Sequence, residues 1–277
     1  MEIKAAAKIN LFLNVGNKRP DNFHDFQSVV VKVSLFDELI IEEASDITVE
    51  APEWIAKEDN LVYRAAVLLK EFAETEKGCS ISLKKNIPTG AGLGGGSSNA
   101  AAVFTALNKL WDLNLSISQL EEIGAVLGSD VNLFLHPGGT LATGRGEVVK
   151  PLPYENPEKK KILLINPGVN ISTEKVYSRY PGGRLTPEDE LNKIIENYTQ
   201  GNWALILRND LEETVFSEYP VLRDLKSRLI NWGAQPLLSG SGSTVFALVE
   251  DDKLAESIKN VVENSFNFDC WIVNEII

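Results

Sequence analysis

Cysteine and histidine are scarce, because the chain of 277 residues contains only two of each. Cys79 and Cys270 stand in segments that read as strands and do not have the spacing of a metal-binding motif. We therefore expect both to be reduced core residues of a cytoplasmic protein, since disulfides are rare in that compartment. His24 and His136 are too few for a histidine-built site, so no protein-built metal site is predicted.

Long apolar runs are also missing. No run reaches the length of about 20 residues that a membrane-spanning helix needs. The N-terminal segment 1–19 contains an apolar stretch, but Lys8 and Asn10 interrupt it and no small-residue cleavage site follows. We therefore expect neither a membrane anchor nor a signal peptide. A hydrophobic content of 44% and a charged content of 24% are typical of a globular protein with a real core.

Basic residues are outnumbered, with 27 Lys and Arg against 39 Asp and Glu and a formal net charge of −12. Nucleic acids and anionic membranes reward a basic surface, so neither is expected as a main partner. No acidic residue occurs between Glu76 and Asp112, and this window contains PTGAGLGGGSSNAAA at residues 88–102. An acidic protein that keeps carboxylates away from one glycine-rich loop is a candidate for binding an anion there.

The first half of the chain is rich in alternating apolar residues and in Val and Ile, which predicts strands. A helix is predicted from an N-cap at Asn60 to a stop at Gly78, and another directly follows the glycine-rich loop. A third helix is predicted to start at Ser118, where Glu121 completes a capping box. The predicted strands are INLFLNV, FQSVVVKVSL, DELIIEEA, DITVEAP, CSISLKK and DVNLFLH, and GTLATGRGEVVKPL is a predicted hairpin.

The second half follows a proline-rich and then charged segment, residues 151–161, which we interpret as a linker. Strands are predicted beyond it for ILLIN, STVFALV and DCWIVNEII. This order of elements predicts an α+β half with antiparallel character. The helices predicted between these strands cover about residues 186–198, 203–216, 220–232 and 252–264.

A strand, a glycine-rich turn and a helix N-terminus, in this order, can form an anion site. Glycine lets the backbone approach a ligand closely, and the first helical N–H groups have no partner within the helix. Ser97, Ser98 and Asn99 add side-chain donors there, and the first turn lacks the Asp or Glu that is normally favoured. A plain turn is the simpler interpretation, but three consecutive glycines at 94–96 are a costly way to build one.

Two general phosphate motifs fit this loop poorly. The P-loop pattern fails because no lysine follows the glycines. The dinucleotide fingerprint is matched by Gly90, Gly92 and Gly95, and Asp112 lies at about the right distance. Asp112 ends the loop's own helical segment, however, rather than a following strand as that fold requires. A nicotinamide- or flavin-dependent oxidoreductase therefore remains a third-ranked alternative.

Three segments together resemble the GHMP kinase superfamily, named for galactokinase, homoserine kinase, mevalonate kinase and phosphomevalonate kinase. The loop PTGAGLGGGSSNAAA resembles its central phosphate-binding motif, KINLFLNVGNKRPDNFHDFQSV its N-terminal substrate-side motif, and LLSGSGSTVFAL its C-terminal glycine-rich motif. The triple glycine before SSNAA, the opening AKINLFL and GSDVNLFL are most similar to the branch that phosphorylates 4-diphosphocytidyl-2-C-methyl-D-erythritol.

The resemblance spans the chain and implies a two-domain α+β fold with the active site in the cleft between the halves. The implied N-terminal domain, residues 1–153, is β-rich and carries the phosphate loop. The implied C-terminal domain, residues 160–277, is a ferredoxin-like α+β domain. Gly240 and Gly242 of the third motif would line the cleft, although a tight turn before a strand is nearly as good an interpretation.

The resemblance also implies ATP as the phosphoryl donor. ATP carries roughly four negative charges, more than one helix end offsets, so Mg²⁺ is expected as the cofactor. The implied ATP-binding residues are Pro88, Thr89, Gly90, Ala91, Gly92, Leu93, Gly94, Gly95, Gly96, Ser97 and Ser98.

Two charged residues are implied as catalytic. Lys8, within the apolar segment AAAKINLFL, would orient the substrate hydroxyl and steady the transition state. Asp130, in GSDVNLFL, would accept the hydroxyl proton. A lysine and an aspartate close together keep each other ionised at neutral pH. Asn132 stands where the family usually has proline, a departure that bears on the placement of Asp130.

The acceptor is implied to be a cytidine diphosphate conjugate. His24 would hydrogen-bond the cytosine and Phe23 would stack on it, although the family more often has tyrosine at this position. Asn10, beside Lys8, and Thr173, which follows Ser172, would contact the rest of the acceptor. A core aromatic is the simpler interpretation of Phe23.

The implied reaction transfers the γ-phosphoryl group of ATP to the 2-hydroxyl of 4-diphosphocytidyl-2-C-methyl-D-erythritol, in the non-mevalonate route to isoprenoid precursors. Another kinase of the superfamily, acting on homoserine or mevalonate, is the nearest alternative. The aromatic pair at Phe23 and His24 argues against it, since those acceptors have no base to stack. A nucleotide-binding regulator without catalysis is an alternative from another class, and the presence of both Lys8 and Asp130 argues against it.

Overall fold

The structure, a computed structural model, describes residues 1–56, 59–155 and 160–276. Within these ranges the chain forms eleven strands and eight α-helices. The strands are β1 (Glu2–Lys18), β2 (His24–Ala44), β3 (Ile47–Glu50), β4 (Gly78–Lys84), β5 (Thr140–Thr143), β6 (Val148–Pro151), β7 (Lys161–Asn166), β8 (Arg208–Asn209), β9 (Gln235–Leu238), β10 (Val245–Val249) and β11 (Asp269–Ile276). The helices are α1 (Leu61–Phe72), α2 (Gly95–Leu110), α3 (Ile117–Leu127), α4 (Thr173–Arg179), α5 (Glu188–Thr199), α6 (Glu212–Glu218), α7 (Pro220–Asn231) and α8 (Asp252–Val261).

One sheet crosses both halves of the chain. In the first half, β2 pairs antiparallel with β1, β4 and β5, and β3 pairs parallel with β4. In the second half, β7 lies between β10 and β11, and β9 pairs with β10. The halves join where Glu275 and Ile276 of β11 pair with Val33 and Lys32 of β2, and where β8 pairs parallel with β1. The division into two domains stays a prediction, because residues 156–159 of the expected linker lie outside the described part.

Helix α1 begins where the sequence predicts and ends earlier. The Asn60 side chain accepts a hydrogen bond of 3.0 Å from the Val62 amide, as an N-cap does. The helix ends at Phe72, and Glu74 takes the left-handed φ of +48° that we expected of a terminal glycine. The predicted stop at Gly78 is wrong, because this residue begins β4 and packs on the backbone of Ser45.

Helix α2 follows the glycine-rich loop directly, as predicted. Its first residue is Gly95, and its N-cap is Gly94 with a φ of +68°. The buried face of the helix carries Val103, Phe104 and Leu107 and packs against α1 and β1. Burial of three such side chains on one face stabilises a helix whose start is rich in glycine, by about 2 kcal/mol for each side chain.

Two local predictions near the third helix are wrong. The capping box of α3 uses Ser116 and Gln119 rather than Ser118 and Glu121, because the pattern occurs twice and the first copy makes the hydrogen bonds. The segment DVNLFLH is not a strand, since Asn132–Phe134 forms a 3₁₀ turn with successive i to i+3 hydrogen bonds.

Further differences concern strands and helices. The predicted strands FQSVVVKVSL and DELIIEEA form the single long β2, in which every second side chain from Leu35 to Ile41 is buried. The sequence does not predict β9, because a proline stands within it, or α4, because seven residues are too few for a periodic pattern. The helix predicted for residues 203–216 is wrong over most of its length, because a 3₁₀ turn and β8 precede α6 there. The predicted hairpin GTLATGRGEVVKPL is confirmed as β5 and β6.

Core packing places the glycine-rich loop between the halves. A cluster of buried side chains joins Ile9 of β1 with Ala91 and Leu93 of the loop and Phe246 of β10. Cys79 and Cys270 are buried and without a disulfide, as predicted. Among the described residues, no helix combines the length and the hydrophobicity needed to cross a bilayer.

Candidate active site

A cleft of about 1060 Å³ lies where the loop, β1 and two segments of the second half meet. The second half contributes Tyr177 from α4 and the turn at Gly240 and Ser241. Ser98 is the one predicted site residue that does not line it, because its side chain is buried within the protein. The predicted residues that line the cleft are Lys8, Asn10, Phe23, His24, Pro88, Thr89, Gly90, Ala91, Gly92, Leu93, Gly94, Gly95, Gly96, Ser97, Asp130 and Thr173.

The start of α2 is open towards this cleft. Gly90, Gly92 and Gly94 have φ values of +66°, +75° and +68°, a conformation that residues with a side chain rarely adopt. No side chain among the described residues caps the helix, and its first turn contains no acidic residue. Its free amides and dipole therefore form a positively polarised end, suited to binding an anion.

The loop is held by the C-terminal glycine-rich segment. Ser239 Oγ donates to the Gly92 carbonyl at 2.9 Å, and the Thr244 amide donates to the Ala91 carbonyl at 3.1 Å. A Cβ placed on Gly92 would lie 2.0 Å from the Ser239 carbonyl oxygen. Only glycine fits at this position, so the close approach of the two segments fixes the path of the loop.

Lys8 is a buried lysine in the floor of the cleft. Its amide donates to the Leu93 carbonyl at 2.9 Å, which ties β1 to the loop. Its Nζ donates to Asn10 Oδ1 at 2.7 Å, and Asn10 Nδ2 donates to Ser28 Oγ at 2.8 Å. Burial lowers the pKa of Lys8 below its ordinary value, and the charge of Asp130 partly offsets that effect.

Asp130 lines the cleft beside Lys8, with Oδ2 at 3.9 Å from Nζ. The carboxylate is about one-third exposed, whereas the ammonium group is buried. Two glycines make room for the lysine, because a Cβ on Gly94 would lie 3.0 Å from Lys8 Cγ and one on Gly240 3.2 Å from Nζ. The structure therefore brings the two predicted catalytic residues together beside the helix start.

A second part of the cleft is aromatic. The His24 ring is buried, and its centroid lies 5.7 Å from that of Tyr177. Its Nδ1 is buried and finds no hydrogen-bond partner among the described residues. Burial lowers the pKa of His24, and the charge of Lys18 adds to the effect, so the neutral ring is favoured. Phe23 is 49% exposed and lies under the guanidinium of Arg145, 5.0 Å from the ring centroid.

Thr173 lies between these two parts. Its Oγ1 forms a hydrogen bond of 2.7 Å with Ser241 Oγ, which joins the start of α4 to the turn beside Lys8. Asn209 fixes that turn by donating to the carbonyls of Leu238 and Gly240, each at 2.8 Å.

Two family models match this chain. The description "GHMP kinases N terminal domain" covers residues 60–138, and "GHMP kinases C terminal" covers residues 189–267. The chain is 40% identical to 4-diphosphocytidyl-2-C-methyl-D-erythritol kinase of Thermodesulfovibrio yellowstonii, over 99% of this chain and 97% of that protein. It is also 40% identical to the enzyme of the same name from Geobacillus kaustophilus, over 94% of this chain and 92% of that protein.

This decides the family. The chain belongs to the 4-diphosphocytidyl-2-C-methyl-D-erythritol kinases of the GHMP kinase family. A crystal structure of 4-(cytidine 5'-diphospho)-2C-methyl-D-erythritol kinase matches it with a TM-score of 0.84 and 33% identity, over 100% of both chains. Homoserine kinase from Cytophaga hutchinsonii matches at a TM-score of 0.75 and 19% identity, over 100% of this chain and 95% of its own. That identity shows the shared fold alone.

Membership in the GHMP kinase family makes the chain a phosphotransferase and excludes the dinucleotide-binding alternative. Asp112, the acidic residue of that alternative, is exposed at the end of α2 with a φ of +56°. Gly90, Gly92 and Gly95 instead belong to the glycine-rich loop of a GHMP kinase. This loop follows β4, which pairs antiparallel with β2, and it precedes α2.

Asn132, which departs from the GHMP kinase pattern, forms a side-chain hydrogen bond that the expected proline could not form. Its Nδ2 donates to the Glu147 carbonyl at 3.1 Å, and its Oδ1 is buried with no partner among the described residues. A proline has neither group, so this chain ties the turn after Asp130 to the start of β6 by a side-chain contact.

Several cleft residues were not expected from the sequence, and Tyr177, Arg145 and Ser241 are three of them. Tyr177 stands four residues after Thr173, on the helix that was not predicted. Arg145 lies in the turn of the predicted hairpin, where a charged residue is ordinary, and Ser241 lies between two glycines. Nothing local distinguishes these side chains, because the long-range packing of β5, α4 and β10 alone brings them to the cleft.

Proposed function

We propose that this GHMP kinase transfers the γ-phosphoryl group of ATP to the 2-hydroxyl of 4-diphosphocytidyl-2-C-methyl-D-erythritol. The reaction is a step towards isoprenoid precursors by the non-mevalonate route. The observation that carries the proposal is the pairing of Lys8 and Asp130, 3.9 Å apart, beside an uncapped helix N-terminus. Phosphoryl transfer needs these parts together, namely a cradle for phosphates, a cation and a proton acceptor.

The donor site is the loop at residues 88–97. ATP phosphates would lie against the amides at the start of α2, where partial positive charge meets no competing carboxylate. Ser97 adds a hydroxyl donor at the cleft surface. Ser98 is not part of this proposal as a ligand, because its side chain is buried and its amide donates to the Gly94 carbonyl within the helix.

Asp130 would accept the proton of the attacking hydroxyl. Its Oδ2 lies 3.9 Å from Lys8 Nζ, and its partial exposure would leave an oxygen available to the acceptor. Lys8 would hold the acceptor oxygen and neutralise charge that develops on the transferred group. Asn10 keeps the ammonium group in place through its 2.7 Å hydrogen bond.

The donor set of the cleft fits Mg²⁺. The described residues contain no cluster of three or more His, Cys, Asp or Glu that would bind a metal by themselves. Mg²⁺ commonly keeps several waters and uses one or two carboxylates together with substrate phosphates. Ser97 is the side chain that would hold it together with the phosphates and water, and the ion would neutralise charge on the phosphates.

The aromatic part of the cleft would bind the cytidine end of the acceptor. The unpartnered Nδ1 of His24 offers a hydrogen bond to a base edge, and Phe23 and Tyr177 offer faces for stacking. Arg145, which lies over Phe23, brings a positive charge to this end of the cleft, where a diphosphate needs one.

ATP consumption across a panel of acceptors tests the proposal. We expect turnover with the cytidylyl conjugate and none above background with homoserine or mevalonate. Consumption with homoserine or mevalonate alone would overturn the acceptor while leaving the kinase activity intact. ATP binding without turnover of any acceptor would favour the non-catalytic alternative.

A further inference from the structure

A buried carboxylate lies behind the phosphate loop. Asp37 of β2 has no exposed surface and accepts hydrogen bonds from three consecutive residues. Its Oδ1 accepts from the amides of Asn86 at 2.7 Å and Ile87 at 2.8 Å, and its Oδ2 accepts from Lys85 Nζ. The Asn86 side chain adds a 2.9 Å hydrogen bond to the Phe36 carbonyl. The chain is thus held at the point where β4 ends and the loop begins.

The held segment touches the first residue of α2. A Cβ placed on Gly95 would lie 2.9 Å from Ile87 Cγ2 and 3.1 Å from Lys85 Nζ. Lys85 also lines the cleft. Residues 85–87 therefore connect Asp37 to the N-terminus of α2, and a shift of these residues would change the shape of the site at the start of the helix.

A neighbouring ion pair between the same two strands is exposed, so the pairing of β2 with β4 does not require a buried ion pair. Glu38 and Lys84 are direct neighbours in the β2 and β4 register and form an exposed pair at 3.2 Å. Asp37 and Lys85, one residue further, are buried, and burying two charges is costly unless hydrogen bonds and charge compensate. Lys85 supplies that charge compensation. Without it, the Asp37 carboxylate would repel a triphosphate bound in the cleft.

We propose that Asp37 is a positioning residue for the nucleotide, and that Lys85 neutralises it so that the cradle stays free of negative charge. The inference rests on the proposed function, because it takes the cradle to be the ATP site. Asp37 acts through residues 85–87 and Gly95 and does not touch the nucleotide. Two properties of Asp37 can be tested separately. Its oxygen accepts hydrogen bonds from the two amides, and its negative charge is balanced by Lys85.

Three variants and a control separate these properties. Lys85→Met leaves the carboxylate unbalanced. Asp37→Asn with Lys85→Met is neutral and keeps an oxygen for the two amides, whereas Asp37→Ala with Lys85→Met is neutral and removes it. Lys84→Met, at the exposed pair, is the matched control. Each protein is titrated with a non-hydrolysable ATP analogue and Mg²⁺ by calorimetry, and KM for each substrate and kcat are measured.

We expect Lys85→Met to weaken analogue binding at least about tenfold and the Asn double variant to recover to within about threefold of the parent. The Ala double variant should bind at least about fivefold more weakly than the Asn double variant. KM for ATP should follow these changes, while KM for the acceptor, kcat and the control stay within about twofold.

Equal binding by the two double variants would overturn the anchoring role, and unchanged binding by a folded Lys85→Met protein would overturn the charge role. If Lys85→Met does not fold, the two neutral double variants still decide the anchoring role. Equal rises in both KM values would show a general structural effect and contradict the inference. A parent protein that does not bind the analogue would instead contradict the proposed function.

Discussion

Lys8 Nζ lies 3.9 Å from Asp130 Oδ2, although the lysine belongs to β1 and the aspartate to a turn after α3. The ammonium group is buried and the carboxylate reaches the cleft surface. Burying the charged Lys8 side chain costs free energy, and charged side chains are rarely buried without a partner. A role of this charge in the reaction explains the burial better than a contribution to the stability of the fold does.

Asp130→Asn should lower kcat by about 10²–10⁴-fold, the usual contribution of a proton-transfer group. The amide keeps the shape of the side chain but cannot accept the hydroxyl proton. Steady-state kinetics with both substrates saturating measure the effect. Asp112→Asn, the same substitution at an exposed position outside the cleft, should leave kcat unchanged. A near-normal rate in Asp130→Asn would remove this residue from the mechanism.

The pH profile should show a lowered lysine pKa. Protonated Lys8 supplies the positive charge, so activity is present below its pKa and is lost as the pH rises through it. Because burial lowers this pKa, the alkaline decline of kcat/KM should begin below 10.5. The charge of Asp130 raises the Lys8 pKa, so the residual activity of Asp130→Asn should decline at a still lower pH. Coinciding alkaline limbs in the two proteins would show that the charges are not coupled.

Gly240→Ala should lower kcat at least about tenfold, because small misplacement of a catalytic group is costly. Its φ is +57°, and the added Cβ would lie 3.2 Å from Lys8 Nζ and 3.4 Å from Asn10 Oδ1. Gly233→Ala is the matched control, since its φ is +88° and a Cβ there meets no atom within 4 Å. Both variants should lose about 1–2 kcal/mol of stability from backbone strain.

Kinetics and thermal melting distinguish the two effects. A kcat that falls equally in the Gly240 and Gly233 variants would mean that strain alone, rather than contact with Lys8, limits activity. A kcat unchanged in Gly240→Ala would mean that the turn has no part in placing the lysine.

His24→Ala should raise KM for the cytidylyl acceptor about tenfold and leave KM for ATP unchanged, because a buried base contact is lost. The chain's other histidine, His136, pairs with Glu121 at 2.7 Å and does not line the cleft, so His136→Ala is the control. Replacing cytosine by uracil in the acceptor should raise KM for the acceptor by a larger factor in the parent protein than in the His24→Ala variant. Equal discrimination between the two bases in both proteins would place base recognition elsewhere.

The sequence predicts the donor side of this site better than the acceptor side. Residues 88–97 are contiguous, and the physics of a glycine-rich turn before a helix is local, so the cradle is visible in the sequence. Lys8 and Asp130 required the family resemblance, because neither residue has a local pattern. Tyr177, Arg145 and Ser241 reach the cleft only by tertiary packing.

The fold shows the same contrast between local and long-range information. The Asn60 cap and the hairpin β5–β6 were predicted, since caps and turns are local signals. The apolar residues after Asp130 predict a strand, yet this segment forms a 3₁₀ turn in which Val131 and Leu133 are buried. Apolar composition alone does not distinguish a strand from a short helical turn.

The most direct test of the proposed reaction follows the phosphorus nuclei of ATP by NMR in the presence of Mg²⁺ and the cytidylyl conjugate. Phosphoryl transfer predicts a new phosphomonoester signal on the erythritol part that grows in a one-to-one ratio with ADP, and its loss in Asp130→Asn. Release of inorganic phosphate at a rate independent of the acceptor, with no new ester signal, would contradict the account.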